Sequence, residues 1–363
     1  MVDVLIVGGG VMGCTLAYRL AKTEHLSVLV LEKSVPGAEA SSAAAGMLGA
    51  QMEAHTSGPF LEFCLYSRDL FKTFAEELLR ETEIHIGYRE CGILEVAHSE
   101  KDAERLIARY QWQKKHHLEI EMLDPPELLK MEPHLSPQNF GALFYPKDHQ
   151  VDAMALAKAT SCAAHRAGVH FLSGKTVERL AIEHQKIQGV FVENELIPAP
   201  WVIIAAGAWT SQIPSLPPLR SKIRPIRGQI ALLEARPPIL QHTLVDTYGY
   251  LVPRADGRIL IGSTMESVGF QKHVTAGGIL HLMSLGIRLV PALKEVPFIG
   301  TWAGFRPSSD DGSPLIGPTS IQGLWVVSGH HRNGILLVPG TAEIILNLFR
   351  GKKMPFDTSI FLP

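Results

Sequence analysis

The sequence predicts an α/β protein built from two domains. Its first 32 residues contain two apolar runs of strand length, separated by glycines and by a segment of helical spacing, which together indicate a β–α–β unit. Later segments mix short strands with helices of 7 to 23 residues. The length of 363 residues suits two domains or one interleaved pair.

The elements follow from the periodicity of apolar residues in chain order. Strands are predicted at 2–7, 28–31, 93–96, 169–172, 186–193, 195–205, 250–252, 259–262 and 325–328. Helices are predicted at 11–22, 60–82, 100–116, 125–131, 151–167, 277–289 and 334–350. Residues 213–228 are rich in proline and arginine, which indicates an extended crossover between domains.

Composition gives no support for several classes of function. A formal net charge of −2, with 19% charged residues, gives no basis for binding nucleic acid or an anionic membrane. The four cysteines lie far apart without zinc spacing, so we expect reduced thiols, no metal site and a cytoplasmic location. We predict neither a secretory signal nor a membrane-spanning helix, and peripheral membrane contact stays open.

The first turn carries a dinucleotide-binding pattern. Gly8-Gly9-Gly10-Val11-Met12-Gly13 matches GxGxxG between a strand and a helix, and Glu32 closes the second strand. In this pattern Gly8 permits the turn, Gly10 lets the backbone approach a pyrophosphate, and Gly13 lets helix and strand pack closely. Glu32 can accept hydrogen bonds from ribose hydroxyls and disfavours NADP. The alternative is a purely structural glycine turn.

The glycine pattern by itself does not choose between NAD and FAD. A NAD dehydrogenase usually continues with alternating strands and helices. Here a loop of small residues at 41–48 follows the second strand directly, and a second glycine-flanked segment lies at 329–336. Both features suit a long cofactor that is held at two ends, which favours FAD.

Four blocks carry a family resemblance. They are Ser42-Ala43-Ala44-Ala45-Gly46-Met47-Leu48-Gly49-Ala50, Trp302-Ala303-Gly304-Phe305-Arg306-Pro307, Asp311-Gly312 with Ile316-Gly317, and Gly329-His330-His331-Arg332-Asn333-Gly334-Ile335-Leu336. With these blocks in order, the chain resembles the D-amino-acid oxidase superfamily of flavoproteins, in particular the bacterial glycine oxidases of thiamine biosynthesis.

The resemblance implies a discontinuous pair of domains. A Rossmann-type, glutathione-reductase-like FAD-binding domain is expected to combine residues 1–85, 150–215 and 300–363. A second, mixed-sheet substrate domain, as in D-amino-acid oxidase, is expected to combine residues 86–149 and 216–299.

The resemblance also implies noncovalent FAD, since no cysteine follows Cys162 to form a thioether. The residues expected to hold FAD are Gly8, Gly10, Val11, Met12, Gly13, Glu32, Lys33, Ser41, Ser42, Gly46, Met47, Leu48, Val177, Gly207, His330, His331, Arg332, Asn333, Gly334, Ile335 and Leu336.

For the substrate, the resemblance implies that Arg306 binds a carboxylate, assisted by Tyr250 and with Arg332 nearby. An arginine fork suits a carboxylate better than lysine does. Met47, Tyr248 and Met265 are expected in the pocket wall. Each has a structural alternative: an ion pair for Arg306, a loop brace for Arg332, sheet packing for Tyr250, and core filling, the favoured alternative, for Met265.

The implied activity is oxidative deamination of glycine, sarcosine and small D-amino acids. A hydride passes from the α-carbon to flavin N5, water hydrolyses the imine to an oxo acid with release of ammonia or amine, and dioxygen becomes hydrogen peroxide. The imine would supply thiamine thiazole synthesis, and a homo-oligomer, with the tetramer among the expected sizes, is predicted. The alternatives are a dehydrogenase that reduces a quinone or partner protein, and a non-catalytic FAD-binding subunit.

Overall fold

The computed structural model describes residues 2–363. The strands are β1 Val4–Val7, β2 Val28–Glu32, β3 Met47–Leu48, β4 Ile93–Val96, β5 Glu121–Leu123, β6 Ala142–Tyr145, β7 His149–Gln150, β8 His170–Ser173, β9 Arg179–Glu183, β10 Lys186–Val192, β11 Glu195–Pro198, β12 Trp201–Ile204, β13 Ile223–Glu234, β14 Thr243–Val245, β15 Tyr250–Pro253, β16 Arg258–Gly262, β17 Phe298–Ser309, β18 Leu315–Pro318 and β19 Leu324–Ser328. The helices are α1 Val11–Glu24, α2 Ala40–Ala43, α3 Pro59–Asp69, α4 Phe71–Thr82, α5 Glu100–Lys115, α6 Pro125–Met131, α7 Ala153–Arg166, α8 Ala276–Leu289 and α9 Val338–Phe349.

A six-stranded sheet contains the N-terminal β–α–β unit. Its order is β18-β19-β12-β1-β2-β8, and all neighbours run parallel except β18 against β19. Every residue of β1 and β2 is buried, which explains why both strands are continuous apolar runs. Because α1 follows β1 directly, its N-terminus lies at the carboxyl edge of this sheet, where ligands bind in such folds.

An eight-stranded mixed sheet forms the second layer, in the order β17-β13-β16-β15-β14-β4-β6-β5. Its neighbours are antiparallel except for β14 and β4. The longest pairing joins β13 to β17 from Ile223 opposite Ser309 to Leu233 opposite Phe298. The predicted division into two domains stays a prediction. It assigns most of β17 to the FAD-binding domain, whereas β17 pairs with β13 in this sheet.

Four predicted segments differ from the structure. The end of the expected 213–228 crossover, residues 223–228, is the first half of β13 and pairs with β17. The strand expected at 195–205 is two strands, interrupted around Pro200, which has no N–H to donate to a sheet. The helix expected at 60–82 is divided at Leu70 into α3 and α4. The helix expected from 334 begins at Val338, because Pro339 suits a first helical turn; a 3₁₀ turn, His331–Asn333, precedes it.

Across residues 2–363, no helix is both long and apolar enough to span a membrane.

Candidate active site

The glycine turn after β1 depends on two close approaches of the backbone. Gly8 has φ +110°, and a Cβ there would lie 2.8 Å from the carbonyl carbon of Ala205 on the neighbouring connection. A Cβ on Gly13 would lie 3.1 Å from the carbonyl carbon of Gly8 and closer still to its oxygen. Helix α1 therefore packs on the turn only with glycine at both positions.

Glu32 and Ser41 fix the two sides of this turn. The Glu32 carboxylate accepts the backbone N–H groups of Gly9 and Ser34, each at 2.8 Å, and Glu32 is 8% exposed. The hydroxyl of Ser41 accepts the N–H of Val11 at 2.9 Å, at the first residue of α1. The 41–48 loop is thus joined directly to the helix N-terminus, where free N–H groups favour anions.

A cavity of about 680 Å³ extends from this helix N-terminus to the eight-stranded sheet. It brings together most of the residues predicted from the sequence. Those that line it are Gly10, Val11, Met12, Ser41, Gly46, Met47, Gly207, Tyr248, Tyr250, Met265, Arg306, His330, His331, Arg332, Asn333, Gly334 and Ile335. Those that do not are Gly8, Gly13, Glu32, Lys33, Ser42, Leu48, Val177 and Leu336.

The residues outside the cavity wall have identifiable contacts of their own. Leu48, Val177 and Leu336 are buried in the hydrophobic core. The Lys33 ammonium lies 3.1 Å from the centre of the Trp209 ring, and burial lowers the pKa of Lys33. The hydroxyl of Ser42 donates to the carbonyl of Glu39, the residue before α2, at 3.3 Å.

Arg306 lies on β17 and crosses the face of the neighbouring strand. Its guanidinium donates to the carbonyl of Thr264 at 3.2 Å and to the hydroxyl of Ser263. It covers Gly228 so closely that a Cβ there would lie 2.5 Å from Nη2. No carboxylate among residues 2–363 lies within 4.0 Å of it, so the ion-pair alternative for Arg306 is not observed.

Tyr250 begins β15 and pairs in register with Gly262 of β16. Its ring lies over that glycine, where a Cβ would approach the phenol oxygen to 2.5 Å. Two side chains predicted to bind substrate, Arg306 and Tyr250, therefore each lie over a glycine of a neighbouring strand. No local sequence signal marks Gly228 or Gly262, because the contacts depend on strand register.

Arg332 is paired with an acid that sequence reasoning missed. Its Nη2 lies 2.6 Å from Glu53 Oε1, at a side-chain exposure of 38% for Arg332 and 19% for Glu53. Beside them, burial together with the charges of Arg306 and Arg332 lowers the pKa of His331 to about 4. Burial lowers the pKa of His330 to about 3, and its Nε2 lies 3.1 Å from the hydroxyl of Thr341.

Two of the predicted wall residues are largely exposed at the cavity. Met265 is 57% exposed, so the core alternative for this residue is wrong. Tyr248 is 56% exposed, and the guanidinium of Arg288 lies 4.5 Å from its ring centre. Met47 is partly buried in β3. Like Tyr250, it packs against the apolar cluster of Ala45, Ile230, Val252 and Leu260.

The charges of the cavity follow a simple pattern. Its acidic side chains are Glu53, Asp246 and Glu266. Each is paired with an arginine: Glu53 with Arg332, Asp246 with Arg288, and Glu266 with Arg227. Of the two arginines in the wall, Arg306 alone has no acidic partner among residues 2–363.

Known proteins match this chain over its whole length. Glycine oxidase from Geobacillus kaustophilus is 37% identical over 99% of this chain and 96% of its own length, and its crystal structure superposes with a TM-score of 0.95 over 99% and 97% of the two chains at 36% identity. The bifunctional protein ThiO/ThiG of Synechocystis is 35% identical over 97% of this chain and 52% of its own length. The hydrogen cyanide synthase subunit HcnC of Pseudomonas aeruginosa is 30% identical over 99% of this chain and 95% of its own length.

A family model described as DAO, FAD dependent oxidoreductase, matches residues 3–348. This match, with the full-length relatives, confirms the predicted superfamily and its α/β fold with a mixed second sheet. The chain belongs to the DAO family of FAD-dependent oxidoreductases.

Proposed function

We propose that this protein oxidises glycine and related small amines such as sarcosine and small D-amino acids, using noncovalently bound FAD and dioxygen. The observation that carries the proposal is the unpaired guanidinium of Arg306 in the cavity that begins at the dinucleotide turn. A partly buried cation without a counter-ion is a binding site for an anion, and a planar fork suits a carboxylate.

The cavity fits the cofactor of the family at the end near α1. Gly10 lines it, and a Cβ on that residue would lie 3.2 Å from the hydroxyl of Ser41, between the helix N-terminus and the loop. Gly10, Val11, Met12 and Ser41 would hold the pyrophosphate there. When bound, FAD would accept the two electrons that are released as the CH–NH group of an amine is oxidised to C=N, and would deliver them to an acceptor.

Noncovalent attachment is supported by the positions of the cysteines. Cys14 and Cys64 are buried, Cys91 and Cys162 are partly buried, and none lines the cavity. Denaturation should therefore release free FAD, which is measured by the absorbance of the supernatant after acid precipitation.

The side chains around Arg306 would orient the substrate. The guanidinium is held by Ser263 and Thr264 and faces the cavity, while Tyr250 lies on the same sheet and offers a hydroxyl. A carboxylate bound by this pair fixes one end of the amino acid, and the α-carbon takes its position from that anchor. Met47, Tyr248 and Met265 would limit the size of the substrate, with His331 neutral beside them at neutral pH.

Glycine as the substrate is supported by the names of the relatives. Two of them are a glycine oxidase and a bifunctional ThiO/ThiG protein, whose name joins ThiO and ThiG in one chain. We propose that the imine formed here supplies thiamine thiazole synthesis. A cytoplasmic location and a homo-oligomer, including a tetramer, stay predictions, and light scattering measures the oligomer.

The test is an oxygen-uptake screen over glycine, sarcosine, D-alanine, D-proline and N-ethylglycine, with peroxide measured in parallel. Arg306→Ala should raise the KM by about 10- to 150-fold, since a charged hydrogen bond contributes about 1.5–3 kcal/mol. FAD content should be unchanged. Arg224→Ala, which removes an exposed arginine paired with Asp310, is the matched control. An unchanged KM for Arg306→Ala would refute the assignment.

A dehydrogenase that passes electrons to a quinone or partner protein is the second candidate. The HcnC relative favours it, because that protein is named as a subunit and a subunit has partner proteins to receive electrons. Such an enzyme would bleach its flavin with glycine under anaerobic conditions, yet produce little peroxide in air and reduce an added quinone instead. Peroxide formed in equal amount to glyoxylate would exclude this candidate.

A further inference from the structure

Two arginines of the cavity wall differ in charge pairing: Arg332 is neutralised by Glu53, and Arg306 has no acidic partner among residues 2–363. Arg306 and Arg332 both line the cavity, and a β-bridge between Ser308 and His330 joins the two segments that carry them, so the arginines lie near each other. Arg332 differs from Arg306 in having a carboxylate at 2.6 Å. If that carboxylate were absent, the cavity would offer two free guanidinium groups, which suits a ligand with two anionic ends.

Glu53 is held in place by the backbone on its N-terminal side. Asp148, which is fully buried, accepts the N–H groups of Gln51 at 2.9 Å and Met52 at 2.8 Å. Arg68 lies 3.2 Å from that carboxylate and donates to the side chain of Gln51 at 2.9 Å. The turn that carries Glu53 is therefore tied to buried charges and cannot easily move aside.

A second clamp holds the same turn from α5. Arg109 donates to the carbonyl of Met52 at 3.0 Å and is itself held by the buried Glu95 at 2.7 Å. The N–H of Glu53 donates to the carbonyl of Gly49 at 3.0 Å. The two residues before Glu53 and its own N–H are thus anchored, and its carboxylate is held at the cavity wall by Arg332.

We propose that Glu53 is a specificity-determining residue that makes the site selective for monocarboxylates. It neutralises Arg332, so that Arg306 binds the single carboxylate of the substrate, and it repels a second carboxylate that enters beside it. This inference rests on the proposed function for the role of Arg306. It adds that the discrimination against dicarboxylates is set by an acid outside the sequence blocks that carry the family resemblance.

A matched pair of ligands isolates this effect. Sarcosine and iminodiacetate are both secondary amines, and they differ in that the methyl group of sarcosine carries a second carboxylate in iminodiacetate. The first measurement is the ratio of kcat/KM for iminodiacetate to that for sarcosine with the holoenzyme. The second is the Kd of acetate divided by the Kd of malonate, measured by isothermal titration. Neither of these two ligands carries an amine.

Glu53→Gln should raise both ratios in favour of the dicarboxylate by at least tenfold. Adding Arg332→Gln to this variant should return both ratios to the wild-type values, because the freed guanidinium is then gone. Glu234→Gln, which removes an acid paired with Arg236 outside the cavity, should change neither ratio. Unchanged ratios in Glu53→Gln, or a gain that persists without Arg332, would overturn the proposal.

Failure of the proposed function gives a different result. If the wild-type holoenzyme oxidises no amine, the acetate and malonate titrations still test Glu53. If Glu53→Gln does not retain FAD, Arg332→Gln alone leaves the Glu53 carboxylate unpaired in the wall. The wild-type preference for acetate over malonate should then increase at least tenfold, and an unchanged preference would equally reject the role of Glu53.

Discussion

Replacing Gly228 with alanine should displace the guanidinium of Arg306 without touching its charge. The added Cβ would lie 2.5 Å from Nη2 and 2.6 Å from Cζ. Ordinary contacts of such atoms are about 3.5–4.0 Å, so the guanidinium must move by roughly 1 Å. That movement breaks the geometry of the donors to Thr264 and Ser263, which orient the fork.

The expected loss follows from one charged hydrogen bond to the substrate. Such a bond contributes about 1.5–3 kcal/mol, and 1.4 kcal/mol is a factor of ten, so kcat/KM for glycine should fall about 10- to 150-fold. The assay is steady-state oxygen uptake, with FAD content from the absorbance spectrum and Tm by scanning fluorescence. FAD content should equal that of the wild type.

Gly300→Ala is the control, because Gly300 lies on β17 and a Cβ there meets no atom within 4 Å. A double-mutant cycle gives a second check: in an Arg306→Ala background, Gly228→Ala should have little further effect. If Gly228→Ala stays within twofold of the wild type while fully loaded with FAD, the guanidinium does not need its observed position.

Three further predictions concern Gly262, Gly13 and the buried His330. Gly262→Ala places a Cβ 2.5 Å from the phenol oxygen of Tyr250, so the KM for glycine should rise about 3- to 30-fold; an equal rise in a Tyr250→Ala background would show that the ring is not the cause. Gly13→Ala forces α1 away from the turn at Gly8, so both Tm and FAD content should fall, and normal FAD content would contradict this. Burial lowers the pKa of His330 from its usual 6.5 to about 3, so the unfolded chain takes up the proton first and stability is lost as pH falls below 6.5. At pH 5 this loss is about 2 kcal/mol, and urea unfolding of apoprotein with His330→Gln should show a smaller decrease between pH 7 and 5 than the wild type; equal decreases would contradict it.

The sequence predicts those parts of the site that depend on local spacing. The glycine turn follows from Gly8 and Gly13 between a strand and a helix, and Arg306 is found inside a block that carries the family resemblance. The start of α9 was predicted four residues too early, although Pro339 indicates the later start once the preceding 3₁₀ turn is known. Local patterns therefore predict the glycine turn and the helix that follows it.

Contacts between distant segments are what the sequence does not reveal. Glu53 and Arg332 are 279 residues apart, and their pairing depends on where the turn after β3 meets the 3₁₀ turn before α9. Likewise, Gly228 lies under Arg306 because β13 and β17 pair with Gly228 opposite Gly304. A shift of that register by one residue would reverse the faces, and no local pattern fixes it.

The pairing of charges explains why one arginine matters more than the near-neutral total suggests. Each acid in the cavity wall has an arginine from another element, which offsets the cost of removing both charges from water. Arg306 has two neutral acceptors, Thr264 and Ser263, which orient it without neutralising it. Burying a cation without a counter-ion destabilises the folded protein. A carboxylate bound by Arg306 would offset that cost and so stabilise the folded state. Glu53 then sets the limit, because it leaves one such cation in the cavity rather than two.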